Sequence, residues 1–219
     1  MKVKLDLHVH TLYSFDSSIE PEGLRRACRE RGIDGMAVTD HDSLRGGLVF
    51  AAELPDLLII PGSEIRSREG EIIGLFLEKD VPPGLSAPKT MRLIHEQGGL
   101  VIIPHPFDYV KARRMTARRL RELQGELDAV EAVNGKPRYW GANKRAGHFA
   151  DTLGIPVTGG SDAHSLNHIG LVYTEMEEFS RASEFLISLD GAVIHGSRYS
   201  PWASQLERWK ARTRRNNSG

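Results

Sequence analysis

Two histidines one residue apart stand near the start of the chain, in the stretch LDLHVHTLYSFDSS at residues 5–18. The stretch reads as a β-strand and a loop, and side chains alternate between the two faces of a strand. His8 and His10 would therefore share one face with Asp6, while the apolar residues between them face a core. Imidazole and carboxylate groups together can bind a metal ion, but a half-exposed strand with histidine on its wet side is the plain alternative.

Further side chains able to bind metal stand at the ends of later apolar runs. His41 follows AVTD, Glu64 ends LLIIPGSE, His105 follows VIIP, and Asp162 and His164 follow PVTGGS. The carboxyl ends of strands in an α/β barrel converge on one mouth, so these distant residues are expected to meet there. Nitrogen and oxygen ligands without thiolate suit zinc, manganese or iron(II). The number of candidates predicts more than one ion, with Glu64 as a bridging carboxylate.

The elements that must position these residues are short apolar runs alternating with segments of helical periodicity. One helical segment, PEGLRRACRERG, begins at Pro21 and closes at Gly32, and SAPKTMRLIHEQGG ends on a glycine pair. Continuous apolar runs such as LLIIP and LVIIP favour a mostly parallel sheet covered by helices. The connection between LLIIPGSEIRS and GEIIGLFL is too short for a crossover helix, so one hairpin near Gly70 should interrupt the alternation. These features predict an irregular, barrel-like α/β fold.

Length, charge and composition limit the number of domains, the partners and the cellular location that the chain is expected to have. The 219 residues suffice for one domain, expected at residues 1–205, followed by a basic, frayed tail at 206–219. The formal net charge is zero, so a nucleic acid partner is possible but not indicated by net charge. No apolar stretch is long enough for a signal peptide or a membrane span, which predicts a cytoplasmic protein without a membrane partner. The single cysteine, Cys28, is expected to be a packing residue.

Four motifs in this order, HVH, TDHD, PHP and SDAH, resemble those of the polymerase and histidinol phosphatase family of metal-dependent phosphoesterases. The resemblance covers about residues 3–175 and implies a distorted seven-stranded α/β barrel with two or three divalent ions at its mouth. It also implies the ligand sets. These are His8, His10, Glu64 and Asp162 for the first ion, Asp16, His41 and His164 for another, and Glu64 with His105 for the bridged partner. Asp16 on its own could instead be a turn or helix-cap aspartate.

Glu71 departs from the family pattern. Many relatives carry a histidine just before the next apolar run, where this chain has Glu71 in GEIIGLFL. A glutamate there could bind the ion and favour a harder metal such as manganese, or leave that site weak so that only two ions are retained. We therefore include Glu71 among the predicted metal ligands.

Three residues near the predicted mouth are assigned catalytic roles. Arg68, after Glu64, is expected to hold the substrate phosphate, an assignment that Arg66, Lys136 and Arg138 share by position. Asn134 ends the run LDAVEAVN and would reach the substrate as an amide, whereas Glu131 is expected to orient a neighbour or to be structural. His168 in SDAHSLNHIG would contact substrate or donate a proton. The basic segment VKARRMTARRLRE could steer an anionic substrate, although a solvated helix face is the commoner explanation.

These observations favour hydrolysis of a phosphoester by a hydroxide that bridges the metal ions. Expected substrates are small phosphorylated molecules such as a nucleotide or histidinol phosphate. Two other classes of function remain: a metal-dependent hydrolase of amide or cyclic substrates, because the same nucleophile attacks carbonyl groups, and a regulatory module that binds metal without catalysis. A comparison of phosphoester and amide substrates separates them.

Overall fold

The structure is a computed structural model, and it describes residues 1–108, 114–136 and 141–196. The strands are β1 (Lys2–Val9), β2 (Gly35–Val38), β3 (Leu58–Arg66), β4 (Glu71–Leu75), β5 (Leu100–Ile103), β6 (Ala129–Asn134), β7 (Val157–Gly160), β8 (Val172–Glu177) and β9 (Val193–Gly196). The helices are α1 (Pro21–Arg31), α2 (Arg45–Glu53), α3 (Ala87–His95), α4 (Ala117–Glu122), α5 (Ala142–Leu153) and α6 (Ala182–Leu189). The predicted tail at 206–219 and the end of the predicted domain at 197–205 lie outside the described residues.

The described strands form one sheet in the order β7-β6-β5-β4-β3-β2-β1-β8-β9. The segment after β7 returns to the end of β1, where the His10 amide donates to the Ala163 carbonyl at 2.9 Å. Gly160 at the end of β7 packs so close to β1 that a side chain there would lie 2.6 Å from His8 Cβ. The sheet therefore nearly closes into a barrel, which agrees with the expected α/β class.

The expected number of seven strands is wrong, because the sheet has nine. The additional strands β8 and β9 form an antiparallel hairpin that extends the sheet beyond β1. In β8, residues alternate between buried and more exposed positions, so its sequence VYTEME lacks the continuous apolar run typical of a strand buried on both faces.

The expected predominance of parallel pairing is also wrong. The pairs β1–β2, β2–β3, β5–β6 and β6–β7 are parallel. The other four pairs are antiparallel, including β3–β4, the predicted hairpin, whose register places Arg66 opposite Glu71. Strand β4 is therefore reversed within the barrel, and this reversal brings Glu71, its first residue, beside the end of β3.

Both predicted helical segments form helices for the expected reasons. Helix α1 begins at Pro21 and ends before Gly32, which has the left-handed conformation (φ 63°) that glycine adopts without steric cost. Its buried side includes Cys28, which confirms the cysteine as a packing residue. Helix α3 ends at His95, and the chain turns through the glycine pair that follows into β5.

Both faces of β1 are buried, which excludes the half-exposed strand considered as the plain alternative. Leu5 and Leu7 pack into one hydrophobic cluster, whereas Val9 packs into another, beyond an irregularity in the β1–β2 register. Asp6 and His8 are fully buried as well. Buried polar groups are costly unless they are paired, so the polar side of β1 needs partners.

Candidate metal centre

The strand ends bring the predicted metal ligands together on one side of the sheet. His8 lies on β1 and Glu64 on β3, while His41, His105 and Asp162 each stand in the loop that follows a strand. An isolated bridge joins His41 to Glu64, and the backbone around Asp162 is bonded to the end of β1. The polar face of the first strand thus opens onto the loops that carry the other candidates.

Glu64 lies at the centre of the cluster and is fully buried. Its Oε1 lies 2.9 Å from Nε2 of His105 and 3.7 Å from Nε2 of His8. Its Oε2 lies 3.1 Å from Nδ1 of His41 and 3.5 Å from Nε2 of His10. One carboxylate therefore faces four imidazoles, two at each oxygen, which is the arrangement that a bridging ligand requires.

A second group of ligand atoms surrounds the aspartates. Nε2 of His10 lies 3.5 Å from Oδ1 of Asp162, and Nε2 of His8 lies 3.9 Å from the same oxygen. Oδ2 of Asp16 lies 3.1 Å from Nε2 of His164. The turn after β1 that contains Asp16 thus places this carboxylate beside the histidines. Asp16 does not cap a helix, because the N-cap of α1 is Glu20.

Glu71, the position that departs from the family pattern, lies beside the cluster. Its Oε2 is 3.8 Å from Nε2 of His105. Ligand atoms of Glu71, His41 and Glu64 all lie within 4.8 Å of one another, close enough to hold one ion together. The side chain is turned inward and is only 12% exposed.

Buried polar atoms without a partner, and the chemistry of the donor atoms, show that the cluster fits metal ions. Several buried side-chain atoms in the described part of the chain have no hydrogen-bond partner, and in the cluster they include Oε2 of Glu64, Oδ1 of Asp16 and the Nδ1 atoms of His41 and His105. An unsatisfied buried polar group costs about 1–3 kcal/mol, so these atoms need a partner such as a cation. The other ligand atoms form groups within 4.8 Å, including His8, His10 and Asp162, and His10, His41 and His164. The all-nitrogen and oxygen donor set fits zinc, manganese or iron(II).

Electrostatics hold the carboxylates in their ligating state. Burial would raise the pKa of Glu64, but the nearby His8, the hydrogen bond with His105 and the adjacent His41 hold it well below its usual value. For Asp16 the effect of burial is likewise outweighed by His164, and its pKa is also lowered.

The histidines are held in different states. Burial, together with the neighbouring His164 and His41, lowers the pKa of His10 well below its usual value. Burial opposes protonation of His41 too, but the adjacent carboxylates of Asp16 and Glu64 raise its pKa to about 10. His10 is therefore neutral, as ligation requires, whereas without a metal His41 carries a positive charge that a bound ion would replace.

Glu131 orients two of the histidines. Its Oε1 lies 2.9 Å from Nδ1 of His8, and its Oε2 accepts hydrogen bonds from the His105 amide (2.7 Å) and from Nδ2 of Asn134 (2.9 Å). A carboxylate on the far ring nitrogen fixes the ring and its tautomer, which leaves Nε2 of His8 for a metal. The expected orienting role of Glu131 is thus supported by its contacts.

Two buried aspartates that the sequence analysis did not assign hold the ligand-bearing loops. Asp40 accepts from the Thr11 amide and hydroxyl, both at 2.6 Å, and from the Ser14 hydroxyl at 2.8 Å. Ser14 Oγ in turn lies 3.2 Å from Nδ1 of His10. The signal for Asp40 in the sequence was its place in TDHD, just after the apolar run that ends at the mouth.

Asp6 holds the loop after β7, as Asp40 holds the loop after β1. It accepts from the Ser161 amide (2.8 Å), the Ser161 hydroxyl (2.5 Å) and the Gly170 amide (2.8 Å). Burial raises its pKa to about 6, although these hydrogen bonds oppose the rise. Asp6 thereby fixes the backbone next to Asp162. Its position on the polar face of LDLHVH was the signal in the sequence.

The three residues assigned catalytic roles have different surroundings. Nδ2 of Asn134 lies 3.5 Å from Oδ2 of Asp162, so this amide borders the cluster. His168 is buried, and its Nδ1 lies 3.2 Å from the Ser165 hydroxyl. Arg68 is exposed, donates from Nε to the Gly84 carbonyl at 2.9 Å, and makes no hydrogen bond or ion pair with a predicted ligand in the described parts of the chain. The structure does not bring Arg68 to the cluster.

Lys136 is the basic residue whose ammonium group reaches the cluster. Its Nζ lies 3.3 Å from Oδ1 of Asp162 and 3.0 Å from Nδ1 of His164, and the residue is 7% exposed. Burial and this positive charge together lower the pKa of His164. Lys136 was an alternative to Arg68 as the residue expected to hold the substrate phosphate. Arg138, another alternative, lies outside the described residues.

Known protein families match most of the chain. Residues 6–137 match the family model described as the PHP domain, and residues 140–190 match the one described as PHP-associated. Among curated proteins, the uncharacterized protein MJ1587 of Methanocaldococcus jannaschii is 39% identical over 62% of this chain and 84% of its own length. The uncharacterized protein MJ0417 of the same organism is 34% identical over 81% of this chain and 72% of its own. A 5'-3' exoribonuclease of Haemophilus influenzae is 28% identical over 72% and 64%, respectively.

Solved structures share the fold at low sequence identity. A two-domain protein from Bacteroides vulgatus, containing a predicted PHP-like metal-dependent phosphoesterase, superposes with a TM-score of 0.73 at 17% identity, over 90% of this chain and 65% of that one. The lesion-specific endonuclease PfuEndoQ of Pyrococcus furiosus gives a TM-score of 0.64 at 17% identity, over 92% and 60%. This chain therefore spans about two thirds or less of the length of both. No described helix is long and apolar enough to cross a membrane.

Proposed function

Because the chain belongs to the PHP domain family of metal-dependent phosphoester hydrolases, we propose that it hydrolyses a small phosphorylated metabolite or a nucleotide, using two or three divalent ions held by the cluster around Glu64. The nine proposed ligands are His8, His10, Asp16, His41, Glu64, Glu71, His105, Asp162 and His164. The single observation that carries the proposal is the contact of the buried Glu64 carboxylate with four imidazoles, at 2.9–3.7 Å.

Divalent ions bound there would lower the pKa of water and neutralise negative charge on the phosphate oxygens. The protein's own part is to hold the ligands in a fixed arrangement. Glu131 fixes the ring of His8, and Asp40 and Asp6 fix the loops on either side of it. Because these supporting carboxylates are buried, the ligands need little rearrangement on binding, and such pre-organisation is the main way in which an enzyme stabilises developing charge.

Lys136 is the proposed phosphate-binding residue of this chain. Its ammonium group lies at the edge of the cluster, 3.3 Å from Asp162, where a phosphate bound to the ions would adjoin it. A lysine is a compact charge that binds phosphate oxygens through charge-assisted hydrogen bonds. Arg68 is the less favoured candidate, because its guanidinium is held at the Gly84 carbonyl.

The exposed aromatic ring of Phe15, at the edge of the cluster, is evidence for a nucleotide as the substrate. Phe15 is 55% exposed and stacks on His41 with ring centroids 5.1 Å apart and an interplanar angle of 21°. An exposed aromatic face can stack with a nucleobase, which contributes about 1–3 kcal/mol. The similarity to an exoribonuclease also supports a nucleotide as the substrate. Histidinol phosphate would instead stack its imidazole on Phe15.

The proposal is tested with protein stripped of metal by a chelator and reloaded separately with Zn²⁺, Mn²⁺ or Fe²⁺. Each form is assayed with p-nitrophenyl phosphate, with nucleoside monophosphates and with a p-nitroanilide amide. We expect phosphate release that depends on the metal, and no amide hydrolysis. Glu64→Gln should lose this activity, and Glu122→Gln is its matched control, because Glu122 is exposed and its ion pairs within the described residues are with Arg118 and Arg119. Amide hydrolysis without phosphoester hydrolysis would replace the proposal with the carbonyl-directed alternative.

A further inference from the structure

A cleft outside the metal cluster lies between α4 and α5 and has a volume of about 470 Å³. Pockets of 300–1,000 Å³ are typical of sites for small organic ligands, so this cleft has room for about one nucleotide. Its apolar floor is formed by Phe107, Phe149 and Leu153. Phe107 and Phe149 pack edge to face with centroids 5.5 Å apart. Neither the metal ligands nor the supporting carboxylates line it.

Basic side chains surround this apolar floor. The described lining includes Arg121, Lys144, Arg145 and His148 and contains no aspartate or glutamate. All four basic residues are exposed. Arg121 and Lys144 form no ion pair with another described residue, while the guanidinium of Arg121 lies 5.9 Å from the Phe149 ring centroid. A concave site with a rim of one sign of charge attracts ligands of the opposite sign.

Two short segments of the chain link the lining of the cleft to the metal centre. Phe107 stands two residues after His105, in a turn that the Asp108 amide closes onto the His105 carbonyl at 3.1 Å. On the other side, Asn143 in the first turn of α5 accepts from the Asn134 amide at 3.2 Å and donates to the Asn134 carbonyl at 3.0 Å. Lys144 follows directly, so the basic rim starts where β6 reaches the cluster.

We propose that this cleft binds the nucleotide next to the scissile phosphate in a short single-stranded oligonucleotide, with its phosphate at Arg121 and Lys144 and its base against the apolar floor. The inference rests on the proposed phosphoesterase function, and it extends the substrate from a mononucleotide to a chain. Sites for single strands combine basic groups along the backbone with apolar or aromatic surfaces that accept any base. An acidic peptide would use the rim but would leave the apolar floor without a partner.

The first test is binding. Fluorescence anisotropy with a labelled four-nucleotide single strand is measured for metal-free protein, in which hydrolysis is prevented, at several salt concentrations. Each phosphate neutralised on a single strand contributes about 0.7 to the slope of log K against log salt. Because both side chains contact the same phosphate, the double variant Arg121→Gln and Lys144→Gln should lower the magnitude of the slope by about 0.7. Arg92→Gln, which removes an exposed positive charge from α3, should leave the slope unchanged.

The second test is selectivity. For each protein, kcat/KM for the four-nucleotide strand is divided by kcat/KM for p-nitrophenyl phosphate, which has no second nucleotide to occupy the cleft. The ratio should fall about tenfold in the double variant and remain at the wild-type value in Arg92→Gln. Circular dichroism melting curves exclude unfolding as the cause.

The outcomes separate the two proposals. An unchanged slope and ratio in an enzyme that hydrolyses p-nitrophenyl phosphate overturns the cleft assignment and leaves the phosphoesterase function intact. If no phosphoester is hydrolysed by any metal-loaded form, the proposed function fails, and with it the inference that rests on it. Equal binding of a glutamate-rich peptide, with the same sensitivity to the double variant, overturns the nucleic acid assignment and identifies a peptide as the occupant.

Discussion

The carboxylate of Glu64 on β3 lies 2.9 Å from Nε2 of His105 in the loop after β5, and both side chains are buried. Glu64→Gln keeps the size of the side chain but removes the charge that a bridging ligand supplies. We expect a lower metal content and a loss of turnover of more than about 100-fold, because a change in a residue that only supports a ligand already costs 10–100-fold. Elemental analysis and phosphate release measure the two effects. Full metal stoichiometry with the wild-type rate would make Glu64 an ordinary polar residue at the end of a strand.

Glu71→His tests the position that departs from the family pattern. Glu71 lies 3.8 Å from His105, and its carboxylate adds a negative charge that favours hard cations. Replacement by imidazole should shift the preference from manganese towards zinc. The measurement is competitive metal loading followed by elemental analysis. An unchanged preference would mean that Glu71 does not bind the metal.

Glu131→Gln tests how the His8 ring is held. Glu131 accepts a hydrogen bond from Nδ1 of His8 and another from the His105 amide at 2.7 Å. We expect metal affinity to fall by about 10–100-fold without loss of the fold, because the tautomer of His8 is no longer fixed. Titration against a competing chelator gives the affinity. Glu126→Gln, at an exposed site, serves as the control, and equal affinities in the two variants would contradict the orienting role.

Lys136→Met tests the proposed phosphate contact. The buried ammonium group of Lys136 adjoins Asp162, and hydrogen bonds to charged groups contribute about 1.5–3 kcal/mol. The variant should therefore raise KM for a phosphomonoester about tenfold or more, and inorganic phosphate should inhibit it more weakly. Metal content should not decrease, since lysine is not a ligand in the proposed site. An unchanged KM and unchanged phosphate inhibition would remove Lys136 from substrate binding and favour Arg68.

Cys28 provides a test of packing that does not depend on the metal centre. Burial, with a smaller contribution from Asp6, raises the pKa of this thiol to about 12. At pH 8 only about one thiol in ten thousand would be ionised, and the thiolate is the reactive form. Alkylation by iodoacetamide should therefore be very slow in the folded protein and fast in denaturant. Rapid modification under native conditions would contradict the packing of α1 on the sheet.

The cluster could be predicted from the sequence because its ligands stand at strand ends. Parallel strands place their carboxyl ends on one side of a sheet, so His41, His105 and Asp162 were expected to meet without knowledge of the loops. The loop residues beyond the strand ends were harder to predict. Arg68 and Lys136 have similar positions in the sequence, yet Arg68 bonds to Gly84 while Lys136 reaches Asp162, and periodicity does not specify the path of a loop.

Other features depended on contacts between distant segments. Asp6 bonds to Ser161 and Gly170, which lie more than 150 residues away, and nothing near Asp6 in the sequence identifies these partners. Strand β8 was missed because its alternating burial differs from the continuous apolar runs of the other strands. The count of seven strands followed from the family resemblance, and the hairpin of β8 and β9, which pairs with β1, brings the sheet to nine.

The central claim, that Glu64 bridges divalent ions in a phosphoesterase site, is tested most directly by anomalous scattering from crystals grown with manganese or zinc. The account predicts two or three metal peaks, with each oxygen of Glu64 about 2.0–2.2 Å from a different ion, the usual distance between a metal and a carboxylate. His8, His10 and Asp162 should bind one of these ions, and His105 the other. Full metal sites with no oxygen of Glu64 within about 3 Å of any ion, or no metal among these residues, would contradict it.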